Sequence, residues 1–175
     1  ADGKLVVLHD QQTGRVADRD LNVLVSTYDE LKQLDFATQF RRERGLSLNE
    51  VPAIQLPLLE DVLQRVMRQS KTRVSIQPKM SCVPDAITLI QRLGAAPWCG
   101  FNDGKLELMA EVKKLSPATP VFWDRPPGSN IESDIQIALG RGFESLVLHH
   151  SLITGENVKK IHAAGLEVGA WTVNE

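Results

Sequence analysis

The side chains of this sequence best suited to handle anions and protons sit where short apolar runs end. They are His9, Asp10, Gln77, Lys79, Asn102, Asp103, Asp124, Arg125, His149, His150, Trp171 and Asn174. Imidazoles exchange protons near neutral pH, and ammonium, guanidinium and amide groups donate hydrogen bonds to anionic oxygens. The set is therefore compatible with phosphate and poor in carboxylates. Ser75 and Ser81 flank Gln77 and Lys79, but no Ser-His-Asp spacing singles them out. There is no nucleophile elbow and no Gly-rich phosphate loop opening a helix. No CxxC or HExxH spacing marks a zinc site.

The elements that must position these groups repeat. Apolar runs start at positions 74, 98, 121, 146 and 168: Val74–Lys79, Trp98–Asn102, Val121–Arg125, Leu146–His150 and Val168–Asn174. Helix-like segments separate them: Pro84–Leu93, Lys105–Leu115, Ile131–Leu139 and Gly155–Ala164. Gly94 stands where a left-handed cap belongs, the third of these segments ends near Gly140 and Gly142 and the fourth at Gly165, and Thr154 suits an N-cap. Such alternation gives parallel strands with right-handed crossovers, the rhythm of a β/α barrel whose strand ends share one mouth. Upstream, Lys4–Leu8 reads as a strand leading into His9-Asp10. Thr27-x-x-Glu30 is a capping box that predicts a helix. Arg41–Glu50 reads as a charged connector. Pro57 suits the first turn of a helix carrying Leu58, Leu59, Val62, Leu63, Val66 and Met67 on one face.

At 175 residues the chain fits one domain, yet a complete eightfold barrel needs about 250 residues. Asp2-Gly3 is a hairpin turn with only Ala1 before it, and the last run has no closing strand after it. The reading is a single partial barrel over residues 1–175, an internal stretch of a longer protein. The net charge of −2 argues against a nucleic-acid binder. No apolar run approaches the roughly 20 residues that span a bilayer. Cys82 and Cys99 are too few for a disulfide scaffold and read as separate thiols. Compartment and oligomeric state stay open.

Five motifs in order carry a resemblance: Val6-Val7-Leu8-His9-Asp10; Thr27-x-x-Glu30-Leu31-x-x-Leu34-Asp35; Leu56-Pro57-Leu58-Leu59-Glu60; Ile76-Gln77-Pro78-Lys79; and Trp171-Thr172-Val173-Asn174. Together they resemble the glycerophosphodiester phosphodiesterase family. The resemblance implies a TIM (β/α)8-type barrel of the phospholipase C-like kind, incomplete here, with an insertion at about 11–56. It implies metal-dependent hydrolysis of a small-molecule glycerophosphodiester to glycerol 3-phosphate and an alcohol, with magnesium or calcium as cofactor. His9 matches the family's second catalytic histidine, and the acid role is assigned to it. Lys79 matches a lysine facing the substrate phosphate. Trp171 matches an aromatic residue lining the glycerol side. Phe101 stands in the family's Ser-Phe, here Gly100-Phe101, and is expected in the substrate site.

Two departures qualify the resemblance. The family's first histidine, in His-Arg-Gly, and its Glu-x-Asp metal pair have no counterpart in the chain and would lie upstream of Ala1. The 175 residues alone are therefore expected to be inactive. The family's Glu-x-Lys reads Gln77-Pro78-Lys79, and a neutral amide oxygen ligates magnesium or calcium without adding charge. Asp124 is the acid that would compensate, unless it simply pairs with Arg125. Two other readings are a phosphoester-binding barrel weakened in catalysis by Gln77, and a phosphodiesterase of phospholipid head groups. Of His149 and His150, which the resemblance does not mark, at most one is expected to face the mouth. Trp123 reads as packing and His162 as a surface residue.

Overall fold

The computed structural model describes residues 2–173, so Asn174, expected at the end of the last strand, lies outside the described residues. The chain forms two compact units that divide between Arg65 and Val66.

The N-terminal unit is held by loops and short helices. Thr27 caps α1 (Tyr28–Leu31) with the expected capping box, but the helix is a single turn. A second helix, α2 (Thr38–Arg44), ends at Gly45 with a positive φ of 64°. The first four residues of the expected charged connector, Arg41–Arg44, are thus helical. Arg41 makes the difference, because its guanidinium turns inward to the Asp35 carboxylate and to the carbonyl oxygens of Val51 and Pro52. The expected strand at Lys4–Leu8 is instead an isolated antiparallel bridge between Val6 and Leu58. The Val7 amide donates to the Pro57 carbonyl at 3.0 Å and the Leu59 amide to the Leu5 carbonyl at 2.8 Å. With its carbonyl facing Val7, Pro57 stays outside the helix, and α3 (Leu59–Met67) starts two residues later. Leu31, Leu34, Ala37, Leu56, Leu59 and Leu63 form the core of this unit.

The C-terminal unit realises the repeat. Its strands are β1 (Val74–Ile76), β2 (Cys99–Asp103), β3 (Val121–Arg125), β4 (Ser145–His149) and β5 (Glu167–Trp171). They form one sheet in sequential order, and every neighbouring pair is parallel. The crossovers are α4 (Val83–Leu93), α5 (Leu106–Leu115), α6 (Ile131–Arg141) and α7 (Gly155–Ala163). This is the βα alternation of a β/α barrel. The helices stop as the sequence predicts, with Gly94 and Gly142 in the left-handed conformation. Gly140 stays inside α6, and Thr154 caps α7 by accepting from the Asn157 amide. Phe101, Val121, Leu146 and Leu148 project to one side of the sheet and are buried with Val83, Ile90, Met109, Val112 and Ile161 from the helices. Strand alternation sends their sequence neighbours to the other side.

Candidate active site

Register defines the other side of the sheet. Asn102 pairs with Phe122, Asp124 with Val147, and His149 with Trp171. Ser75, Asn102, Asp124, His149 and Trp171 therefore share one face, opposite the helix-packed core, with the last four at or next to the C-terminal ends of their strands. A hydrogen-bonded chain crosses three strands there. The Ser75 hydroxyl donates to Asn102 Oδ1 at 2.7 Å, and Asn102 Nδ2 donates to Asp124 Oδ2 at 3.0 Å. Just past β1, the half-buried Lys79 donates from Nζ to Gln77 Oε1 at 2.6 Å. Burial pushes the Asp124 carboxyl up from the ordinary value; Asp103 adds to this, while the Asn102 hydrogen bond and the Lys79 charge oppose it.

At the far edge, His149 and Trp171 meet edge-on, with ring centroids 5.0 Å apart at 84°. His150 begins a short 3₁₀ turn (His150–Leu152) and is exposed, so one of the two histidines shares the face, as expected.

Several expected site residues lie elsewhere. Phe101 is 0% exposed on the helix side of β2, between Ile76 and Val121, so it is a core residue with no surface to offer a substrate. Asp103 also turns to that side, where Oδ1 accepts from the Lys105 amide at 2.8 Å and shapes the exit from β2. Arg125 does not pair with Asp124, because adjacent strand residues face opposite ways. Its Nε lies 3.0 Å from Asp134 Oδ2 on α6, and its guanidinium stacks 3.8 Å above the Trp123 ring. Trp123 is buried packing, in edge contact with Phe143 and donating to the Gly104 carbonyl. His162 is exposed on α7. The role of Asn102 as the bridge between Ser75 and Asp124 was not singled out from sequence; its place one residue before the end of its strand, like that of Asp124, is the available signal.

In the N-terminal unit, His9 carries a 73% exposed side chain whose Nδ1 lies 2.5 Å from Asp10 Oδ1. Arg15 binds the other Asp10 oxygen. Arg15 first, and His9 second, hold the Asp10 carboxyl down at about 2. An ionised carboxylate only accepts, so Nδ1 carries the shared proton and Nε2 is the atom left for exchange.

A divalent cation would have to find oxygen ligands in this chain. Among the described residues no three His, Cys, Asp or Glu side chains gather to hold one. Gln77 Oε1 already faces an ammonium group. Asp124 and Gln77 together fall short of the six or more ligands that magnesium or calcium takes. The described residues do not complete a metal site.

Comparison with known proteins decides the family. The model of the glycerophosphoryl diester phosphodiesterase family matches residues 1–92, more than half of the sequence. The chain belongs to that family. A glycerophosphodiester phosphodiesterase of Bacillus altitudinis is 36% identical over 80 residues, which are 46% of this chain and 30% of that protein. The matched stretch is thus under a third of the curated relative. A crystal structure of a candidate glycerophosphoryl diester phosphodiesterase from Silicibacter pomeroyi DSS-3 superposes with a TM-score of 0.83 at 19% identity, over 99% of this chain and 70% of that one. A phosphodiesterase from Oleispira antarctica, in complex with the product sn-glycerol-3-phosphate, gives 0.76 at 20% identity, over 99% of this chain and 69% of that one. At these identities the glycerophosphodiesterase structures speak to the fold, and they bear out the incomplete β/α barrel.

Proposed function

We propose that the protein carrying this chain hydrolyses glycerophosphodiesters to sn-glycerol 3-phosphate and an alcohol. The observation that carries the proposal is the Gln77–Lys79 pair at the exit of β1, which holds an oriented ammonium group at the strand ends of the sheet that carries Asp124, in a member of this family. The product held by the Oleispira antarctica relative agrees with the substrate class. As the nucleophile, water or the neighbouring glycerol hydroxyl, bonds to phosphorus it gives up a proton to the other histidine that the family resemblance implies; where the hydroxyl attacks, a cyclic phosphate forms first and water then opens it to glycerol 3-phosphate. The bond from phosphorus to the leaving alcohol breaks, and that alcohol takes a proton. Charge gathers meanwhile on the non-bridging oxygens, where Lys79 stabilises it. His9 supplies the leaving group's proton from Nε2, with Asp10 holding Nδ1. Trp171 walls the glycerol side. Magnesium or calcium is proposed as cofactor, with Asp124 and Gln77 the residues of this chain that would contribute oxygens to it; no step is assigned to it.

The hydrogen bond between Lys79 and Gln77 favours a second reading, in which the chain binds phosphoesters without turning them over. One experiment separates the two. The natural protein containing this chain is assayed on glycerophosphocholine, glycerophosphoethanolamine, lysophospholipid and sphingomyelin, with magnesium, calcium or chelator. The expected result is metal-dependent release of glycerol 3-phosphate from the water-soluble diesters, with His9→Ala slower by about 10²–10⁴-fold. Binding without turnover selects the second reading. Turnover of the lipid substrates alone points to head-group cleavage, and full activity in His9→Ala removes His9 from the chemistry.

A further inference from the structure

Beyond the residues that the family resemblance marks, His149 has a geometry that fits it for a specific task. It ends β4 on the face shared with Asp124 and Trp171 and is half-buried, whereas its neighbour Leu148 is fully buried on the helix side. Its ring is fixed from two directions. The Trp171 ring meets it edge-on at 5.0 Å, and His150 packs against it at 4.2 Å with a 40° tilt. Its Nδ1 accepts the Ser151 backbone amide at 3.2 Å and lies 2.8 Å from the Ser151 hydroxyl. A backbone N–H only donates, so this bond needs the Nδ1 lone pair and places the ring proton on Nε2. Among the described residues Nε2 has no hydrogen-bond partner.

We infer that His149 is a specificity residue that donates a hydrogen bond from Nε2–H to a hydroxyl of the substrate's glycerol moiety, beside the Trp171 wall. The inference rests on the function proposed above and adds a residue to it. The donor chemistry selects the target. In this tautomer the donor is uncharged, and it stands beside an aromatic surface, across the sheet from the ammonium of Lys79. That pairing suits the carbon backbone and hydroxyls of glycerol, and leaves the phosphoryl oxygens to Lys79. A site built to hydrogen-bond a hydroxyl discriminates against ligands that lack it.

Calorimetric titration of the natural protein with sn-glycerol 3-phosphate and with inorganic phosphate tests this, using wild type, His149→Ala and His149→Gln. Glutamine keeps an amide N–H near the position of Nε2. His149→Ala should raise the Kd for glycerol 3-phosphate about tenfold, with inorganic phosphate unchanged, and His149→Gln should recover most of the loss. Unchanged glycerol 3-phosphate affinity in both variants overturns the inference, as does an equal loss for both ligands, which marks a phosphate contact or a structural role. Should His149→Ala fold poorly by thermal melting, the ratio of the two ligands' affinities in His149→Gln decides in its place. Hydrolysis of glycerophosphocholine by wild type is followed in parallel. Turnover with an unaffected His149→Ala sinks this inference alone. Wild type that neither binds glycerol 3-phosphate nor hydrolyses the diester sinks the proposed function and the inference with it.

Discussion

Lys79 is a lysine whose ammonium is held in place by a side chain two residues earlier, at 2.6 Å. If it stabilises the transition state, its removal is a rate effect. Lys79→Met should lower kcat by about 10²–10³-fold with the melting temperature preserved, and steady-state kinetics with a thermal melt reads both. The loss of one oriented donor from a site is of that size; an effect confined to KM would make Lys79 a binding group only. Asp35 makes a stability prediction. Burial alone would push its carboxyl up, but the Arg41 guanidinium, the amides of Ala37 and Ile54 and the Thr38 hydroxyl outweigh this and bring it to about 2. A carboxyl lowered from 3.8 in the folded state contributes stability that is whole above 3.8 and is lost as pH falls toward 2. Acid titration of the melting temperature should show this loss in wild type and a shallower one in Asp35→Asn, which starts from lower stability. Equal slopes would contradict it. His9 and Lys79 were picked out by their motifs, and their hydrogen bonds to Asp10 and Gln77 are local to them. Phe101, Asp103 and Arg125 were not, because the face a strand residue takes depends on register with its neighbours.

At the scale of elements, the C-terminal unit was readable almost strand for strand. Periodicity changes from strand to helix and back within each repeat, and glycine or a capping side chain marks the ends. The face assignment can be tested at Gly100. A Cβ there would stand 2.7 Å from the Phe122 ring and 3.2 Å from the Pro120 carbonyl oxygen. The ring can swing but the backbone cannot. Gly100→Ala should therefore cost about 1–2 kcal/mol, toward the low end of overpacking, measured by denaturant unfolding; a neutral result would mean that β2 and β3 pair in another register. The N-terminal unit resisted reading. Its order comes from side chains bonding backbone far along the chain: Asp35 accepting from Ile54, Arg41 donating to Val51 and Pro52, and the Tyr28 hydroxyl donating to the Leu56 carbonyl. Such bonds have no period, so α2 hid inside a charged stretch and the segment before His9 passed for a strand.

For the molecule as a whole, an interspersed charge of −2 gives no reason to seek a polyanionic partner, and no helix among the described residues is long and apolar enough to cross a membrane. A small anionic diester is the ligand proposed for the strand-end groups. The central claim concerns which bond of that diester breaks. The most direct measurement is phosphorus NMR of the natural protein turning over glycerophosphocholine. The expected phosphorus-containing product is sn-glycerol 3-phosphate, with choline released. Phosphocholine with free glycerol, or an unchanged diester in the presence of magnesium or calcium, would contradict it.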